Sequence, residues 1–273
     1  MRSKAPQQAR RRADIGSTTV EETAGRTPAL RSRCAMLLGL GLACALASGC
    51  ASRPLLERAI RARGGALHSL VRQSEADVQA GFPGTWQWRT VFLAPDDFAW
   101  SIVTAAGTDH YVFDGRVTRA FIGGREVSVD AGQQTPLREH ARFASVTNLD
   151  TVVDSRMPVA PLPAAELPPG VIAGVLVTMP DDGSRYRLGF DDRTHLVWAT
   201  GPIEMPELGR AEVTARYDDF RLVGGLWLPF RTTYEINARP LAVERAIHVC
   251  PNEPGLGPAS FQSPDRLPAC NGP

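Results

Sequence analysis

No stretch of the chain stays apolar over the ~20 positions that a membrane-spanning helix requires; the one candidate, residues 35–47, has 13. Neither sign of charge is in excess, because 30 Lys and Arg face 29 Asp and Glu, a formal net charge of +1. That balance excludes a nucleic-acid binder, which needs a basic face. Five cysteines among 273 residues are too few for a disulfide-held miniprotein. Catalytic signatures are missing as well. There is no Gly-x-Ser-x-Gly elbow, His-Glu-x-x-His helix, phosphate loop or dinucleotide fingerprint, and the five histidines (68, 110, 140, 195 and 248) are scattered. Adjacent acids at Asp96-Asp97, Asp181-Asp182 and Asp191-Asp192 fall in turn-like segments, where Asp serves local backbone hydrogen bonding. The chain therefore reads as a protein that is not an enzyme and needs neither cofactor nor metal. What it does have is apolar material, 43% of its residues, enough for one sizeable core.

The near-zero charge is unevenly distributed. Eight basic but only three acidic residues precede position 50, so the remainder carries a net charge of −4. Residues 1–30 are a polar leader. Arg31 and Arg33 then precede the apolar run 35–47, the arrangement of a secretory signal. Leu46-Ala47-Ser48-Gly49-Cys50 follows, and small residues directly before a cysteine resemble a bacterial lipobox, with Ala47 where the usual pattern has Leu. The resemblance implies cleavage before Cys50 and acyl chains on its thiol, which would anchor the protein stably. Ala51 after the cysteine favours the outer membrane, with the domain facing the periplasm. An ordinary secretory signal with an incidental cysteine is the alternative. Residues 1–49 are thus expected to be discarded and residues 50–54 to form a lipidated tether.

Cysteine arithmetic then closes. Cys34 and Cys44 leave with the signal and Cys50 becomes the anchor, so Cys250 and Cys270 remain as an even pair in an oxidising compartment. The Pro- and Gly-rich segment between them cannot hold itself in place. A disulfide tying residues 249–273 is predicted.

The main domain is expected over 55–248. Leu55, Leu56, Ala59, Ile60, Ala66, Leu67, Leu70 and Val71 recur at helical spacing, interrupted by Gly64-Gly65. From Trp86 the period falls to two, and turn signals such as Asp114-Gly115 separate short strands up to Val129. Residues 133–157 read as a helical lid, and 158–170, with five prolines, as a linker. Alternation then resumes to residue 248. The predicted fold is mainly β with α: a strongly curved antiparallel sheet, or incomplete barrel, covered by helices. Trp86, Trp88, Phe92, Phe98, Trp100, Tyr111, Phe113 and Phe121 are predicted to line its inner face. They either fill a core or enclose an apolar cavity that accepts an acyl chain.

One hairpin adds a resemblance. Tyr217-Asp218-Asp219-Phe220-Arg221-Leu222-Val223-Gly224-Gly225-Leu226-Trp227-Leu228-Pro229-Phe230 resembles the late hairpin of the LolA/LolB-type superfamily of periplasmic lipoprotein carriers and receptors. Ala94-Pro95-Asp96-Asp97-Phe98 and Tyr111-Val112-Phe113-Asp114-Gly115 are similar to its opening strands. The resemblance implies a half-barrel with a helical lid and a lipid-accepting interior, and no catalytic residues. The expected partner is a lipid or acylated protein, with a further envelope protein left open. The alternative is a structural or interaction lipoprotein with a filled core.

Overall fold

The computed structural model describes residues 52–80, 83–104, 107–205 and 209–270. The signal segment 1–49 and Cys50 lie outside them.

Helix α1 spans residues 52–63. Its buried Leu55, Leu56 and Ala59 share one face, with Ile60 partly buried beside them. The helical spacing read through to Val71 ends earlier, at the two glycines. Gly65 N–H donates to the Ile60 carbonyl and Gly64 N–H to that of Arg61, both at 3.0 Å. This is a Schellman stop, in which the residue after the cap takes positive φ. Gly64 has φ +107°, and a β-carbon there would stand 2.1 Å from the Gly225 carbonyl oxygen. Leu70 and Val71 therefore belong to a strand, not to the helix.

Strands β1 (Ser69–Val78), β2 (Gly84–Leu93), β3 (Asp97–Thr104), β4 (Gly107–Asp114), β5 (Thr118–Ile122) and β6 (Arg125–Val127) form a first meander. Helices α2 (Ala131–Thr147) and α3 (Leu149–Asp154) follow. The second meander contains β7 (Val159–Pro161), β8 (Ala173–Thr178), β9 (Arg185–Phe190), β10 (Leu196–Met205), β11 (Gly209–Val223), β12 (Leu226–Ile236) and β13 (Arg239–Pro251). The segment read as a linker thus contributes β7 to the sheet, followed by a short 3-10 turn over Ala164–Glu166. The hairpin at Asp114-Gly115 turns one position later than read: Asp114 N–H donates to the Val117 carbonyl at 3.3 Å and closes the turn over Gly115-Arg116. Asp114 Oδ1 also accepts the N–H groups of Arg116 and Val117, at 3.2 and 2.8 Å, which stabilises the turn.

Pairing of β1 with β13 joins the meanders into one antiparallel sheet of 13 strands, ordered β6-β5-β4-β3-β2-β1-β13-β12-β11-β10-β9-β8-β7. It is not closed, since β6 and β7 are its two edges. The helices are the connection from one edge to the other. Laid flat, 13 strands span about 58 Å, whereas α2 and α3, of 17 and 6 residues, are about 25 and 9 Å long.

Contacts along α2 fix the curvature. His140 and Phe143 are one helical turn, about 5 Å, apart. Yet His140 stacks on Trp100 of β3, with ring centroids 5.8 Å apart, while Phe143 meets Tyr186 of β9 at 6.3 Å. Those strands are seven positions apart in the sheet, roughly 33 Å if it were flat. The sheet therefore bends around α2.

Apolar cores lie on both sides of the sheet. On the inner side, Val175, Val177, Tyr186, Leu188 and Phe190 pack with Leu56 of α1 and with Val146, Leu149 and Val152 from the other two helices. On the outer side, Phe261 and Leu267 of the C-terminal segment cover Val71, Val91, Ala99 and Val112. The Cys250–Cys270 disulfide holds that segment, with Cα atoms 5.6 Å apart. Arg89 adds a second tie through its Nη2 donation to the Leu267 carbonyl, at 3.0 Å. A joint near α1 fixes the helices. Asp150 Oδ2 accepts from the Leu67 N–H at 3.0 Å and from the Arg63 guanidinium, while Asn148 Nδ2 donates to the Leu67 carbonyl at 2.8 Å. No helix among the described residues is long and apolar enough to cross a membrane.

Candidate functional site

Register decides which aromatics share the inner face. Phe98 stands opposite Phe92 on one side and Phe113 on the other, and Trp100 stands opposite Tyr111. The period of two adds Trp88 and Trp86 to the same face, and Trp88 meets Trp100 edge-on at 5.6 Å. Seven of the eight expected residues are thus brought together. Phe121 is not among them. Thr118 stands opposite Phe113, so Phe121, three positions on, pairs with His110 on the reverse pleat. It packs instead with the outer cluster around Phe261.

Helix α2 lies on the near end of this aromatic surface. Leu137 and Ala141 are buried with Phe98 and Phe113 in one cluster, and Trp100, Tyr111 and Ala144 pack against it. Phe92, Phe98 and Phe113 are only 4–6% exposed, whereas Trp86, Trp88, Trp100 and Tyr111 remain half-buried. The aromatic surface is sealed at one end and accessible at the other. His140 faces this accessible part. Its Nδ1–H donates to the Pro136 carbonyl at 2.8 Å, and burial lowers its pKa, so the ring stacked on Trp100 is neutral near pH 7.

Beside the tryptophans lies a polar group that the sequence did not announce. Arg72 and Ser74 of β1 stand opposite Thr90 and Trp88. Glu244 of β13, 3% exposed, accepts from the Ser74 hydroxyl (2.6 Å) and the Tyr234 hydroxyl (2.9 Å). Arg72 Nε lies 3.2 Å from Glu244 Oε1, forming an ion pair. Tyr217 hydrogen-bonds the Thr147 side chain at the end of α2. Burial raises the Tyr217 pKa, and burial together with the Glu244 charge raises that of Tyr234, so both phenols stay protonated. The residues were overlooked because the helical pattern assumed through Val71 concealed the inward alternation Arg72, Ser74, Ala76. Tyr217 opened the resemblance motif but carried no inward assignment.

Two small clefts flank the helices. One of about 80 Å³ lies between Arg53, Leu56, Val152 and Met157. Another of about 210 Å³ lies between Phe113, Arg116, Gln134 and Arg138. Among the described residues, no three His, Cys, Asp or Glu side chains gather to hold a metal. The inner face offers aromatic surface and hydrogen-bonding groups, which suits binding of an amphiphile.

No family model matches the chain, and no curated protein is similar to it in sequence. Solved structures are. A LolA superfamily protein from Nitrosomonas europaea superposes with a TM-score of 0.53 at 14% identity, over 79% of this chain and 99% of the other. A domain described as a putative outer membrane lipoprotein-sorting protein, from Vibrio parahaemolyticus, superposes at 0.51 with 8% identity, over 79% and 97%. The likeness extends over nearly the whole length of both relatives, and in its fold this chain is similar to the LolA superfamily.

Proposed function

We propose that this protein is a lipid-anchored envelope lipoprotein that binds an acyl chain of a lipid or lipoprotein on its inner aromatic face, as a carrier or receptor. The observation that carries the reading is the gradient of exposure along that face. Trp86, Trp88, Trp100 and Tyr111 remain accessible beside α2 while their neighbours are sealed. The part of this half-buried aromatic surface that still meets water is unfavourable, and about 25 cal/mol is gained per Å² of apolar area removed from water. An acyl chain matches that surface in shape and chemistry. The fold shared with a lipoprotein-sorting domain supports the same class of ligand. The role is one of binding, with the helical segment 133–157 as a lid and Cys50 as the membrane anchor.

A filled-core lipoprotein that acts through partner surfaces is the second reading. It is favoured by the other half of the inner side, where Tyr186, Leu188 and Phe190 are fully packed under α1 and α3. Mass spectrometry of the protein extracted from membranes separates the two. The lipid-binding reading expects a chain starting at a diacylated Cys50 and a second lipid lost on denaturation. A chain still carrying residues 1–49, or one without releasable lipid, contradicts the anchor or the binding role respectively.

A further inference from the structure

We infer that Arg72 forms a subsite for the carbonyl oxygen of an uncharged acyl ester, a proposal that rests on the lipid-binding reading above. Arg72 is 8% exposed, on the inner face of β1. Its partner Glu244 is fully engaged, with one oxygen held by the Ser74 hydroxyl and the other by the Tyr234 hydroxyl. The guanidinium is not. Nη2 has no hydrogen-bond partner, and Nε faces Glu244 without the alignment of a hydrogen bond. A buried, unmet donor is unfavourable, and the cost is removed when an acceptor reaches it.

Position and charge define that acceptor. Arg72 stands opposite Thr90, and the next inward residue of its strand, Ser74, stands opposite Trp88. A chain lying on the tryptophans would therefore bring its head to Arg72. The Arg72–Glu244 pair is neutral as a unit, and a second carboxylate placed there would meet the Glu244 charge in a poorly solvated site. An ester carbonyl accepts the same N–H without adding charge. Free glycerolipids and the diacylglyceryl group of an acylated protein both supply such a carbonyl.

The test compares an ester with an ether that lacks only its carbonyl oxygen, and adds a carboxylate of the same chain length. Monododecanoylglycerol, its ether analogue 1-O-dodecylglycerol and dodecanoate are titrated calorimetrically, below their aggregation concentrations, into the whole protein freed of lipid. The wild type is expected to bind the ester about tenfold more tightly than the ether, the gain of one hydrogen bond to a charged donor. Arg72→Met alone strands Glu244 and invites unfolding. The paired variant Arg72→Met with Glu244→Gln removes both charges, and in it the ester-to-ether ratio should fall to near one. Glu244→Gln alone unmasks the guanidinium and should raise the affinity for dodecanoate. A diacylglyceryl-cysteinyl peptide and its diether analogue repeat the comparison; whichever ester binds more tightly identifies the source. Equal affinity for ester and ether in the wild type, or a ratio unchanged in the paired variant, overturns the ester subsite while leaving lipid binding intact. No binding of any of these amphiphiles overturns both.

Discussion

Asp97 shows how one side chain in this fold couples stability to pH. It is 7% exposed at the start of β3, and burial, with the charges of Asp96 and Asp114 beside it, raises its pKa to about 6. The folded protein therefore holds this proton more tightly than the unfolded chain does. Stability from Asp97 is complete below about pH 4 and lost as the pH rises through about 6. Asp97→Asn should accordingly stabilise the protein at pH 7.5 by on the order of 2 kcal/mol, with the gain vanishing toward pH 4. Urea unfolding at both pH values checks this, and an equal effect at both would contradict it. This residue also marks what the sequence could reveal. The paired acids were legible as turn residues, and Asp96-Asp97 does sit at a turn. Their mutual electrostatics depend on Asp114, which β-pairing brings opposite Asp97 and no local pattern announces. The same holds for Arg72 and Glu244, which are far apart in the chain and adjacent in the sheet.

At the level of elements, the C-terminal segment depends on two ties that replace regular secondary structure. Its 3-10 turns over Pro258–Gln262 and Pro264–Arg266 are too short to be stable alone. The disulfide closes a loop with a sequence separation of 20, worth about 3 kcal/mol in the chain-entropy account. Cys250→Ser should lower stability by about that amount. It should also expose the outer cluster of Val91, Ala99 and Val112, so that limited proteolysis cuts first after residue 251. Cleavage elsewhere at unchanged rate would show that Phe261 and Arg89 hold the segment without the bond. The pair was readable from cysteine parity and compartment alone. The β1 strand was not readable, because Leu67, Leu70 and Val71 continue the helical spacing of α1. The Schellman stop at Gly64, where positive φ and the nearby Gly225 carbonyl both require glycine, ends the helix there. Phe121 was misplaced, although its face follows from the alternation itself. Any hairpin turning through an even number of residues after Phe113 sets Phe121 on the pleat of His110, on the other face from Tyr111 and Phe113.

For the molecule as a whole, the order of the strands matters more than their number. The amino-terminal meander and the carboxy-terminal meander meet at β1 and β13, and the chain crosses between the outer edges through α2 and α3. That crossing is short compared with the flat sheet, so the sheet curls and the helices lie within the curl. Alternation and turn signals made the strands and the mainly β class legible, while the 13-strand order and the β7 edge came only from the pairing. The curl gives the aromatic strands β2–β4 a partly accessible inner face, and the central claim is that an acyl chain occupies it. Three of the five tryptophans, Trp86, Trp88 and Trp100, are on that face, while Trp227 is 41% exposed elsewhere. Quenching by a brominated acylglycerol therefore reports contact directly. Saturable quenching that is largely lost in the Trp88→Phe, Trp100→Phe variant, and retained in Trp227→Phe, is the predicted result. Quenching that follows Trp227 instead, or that fails to saturate, would contradict an acyl chain on the inner face.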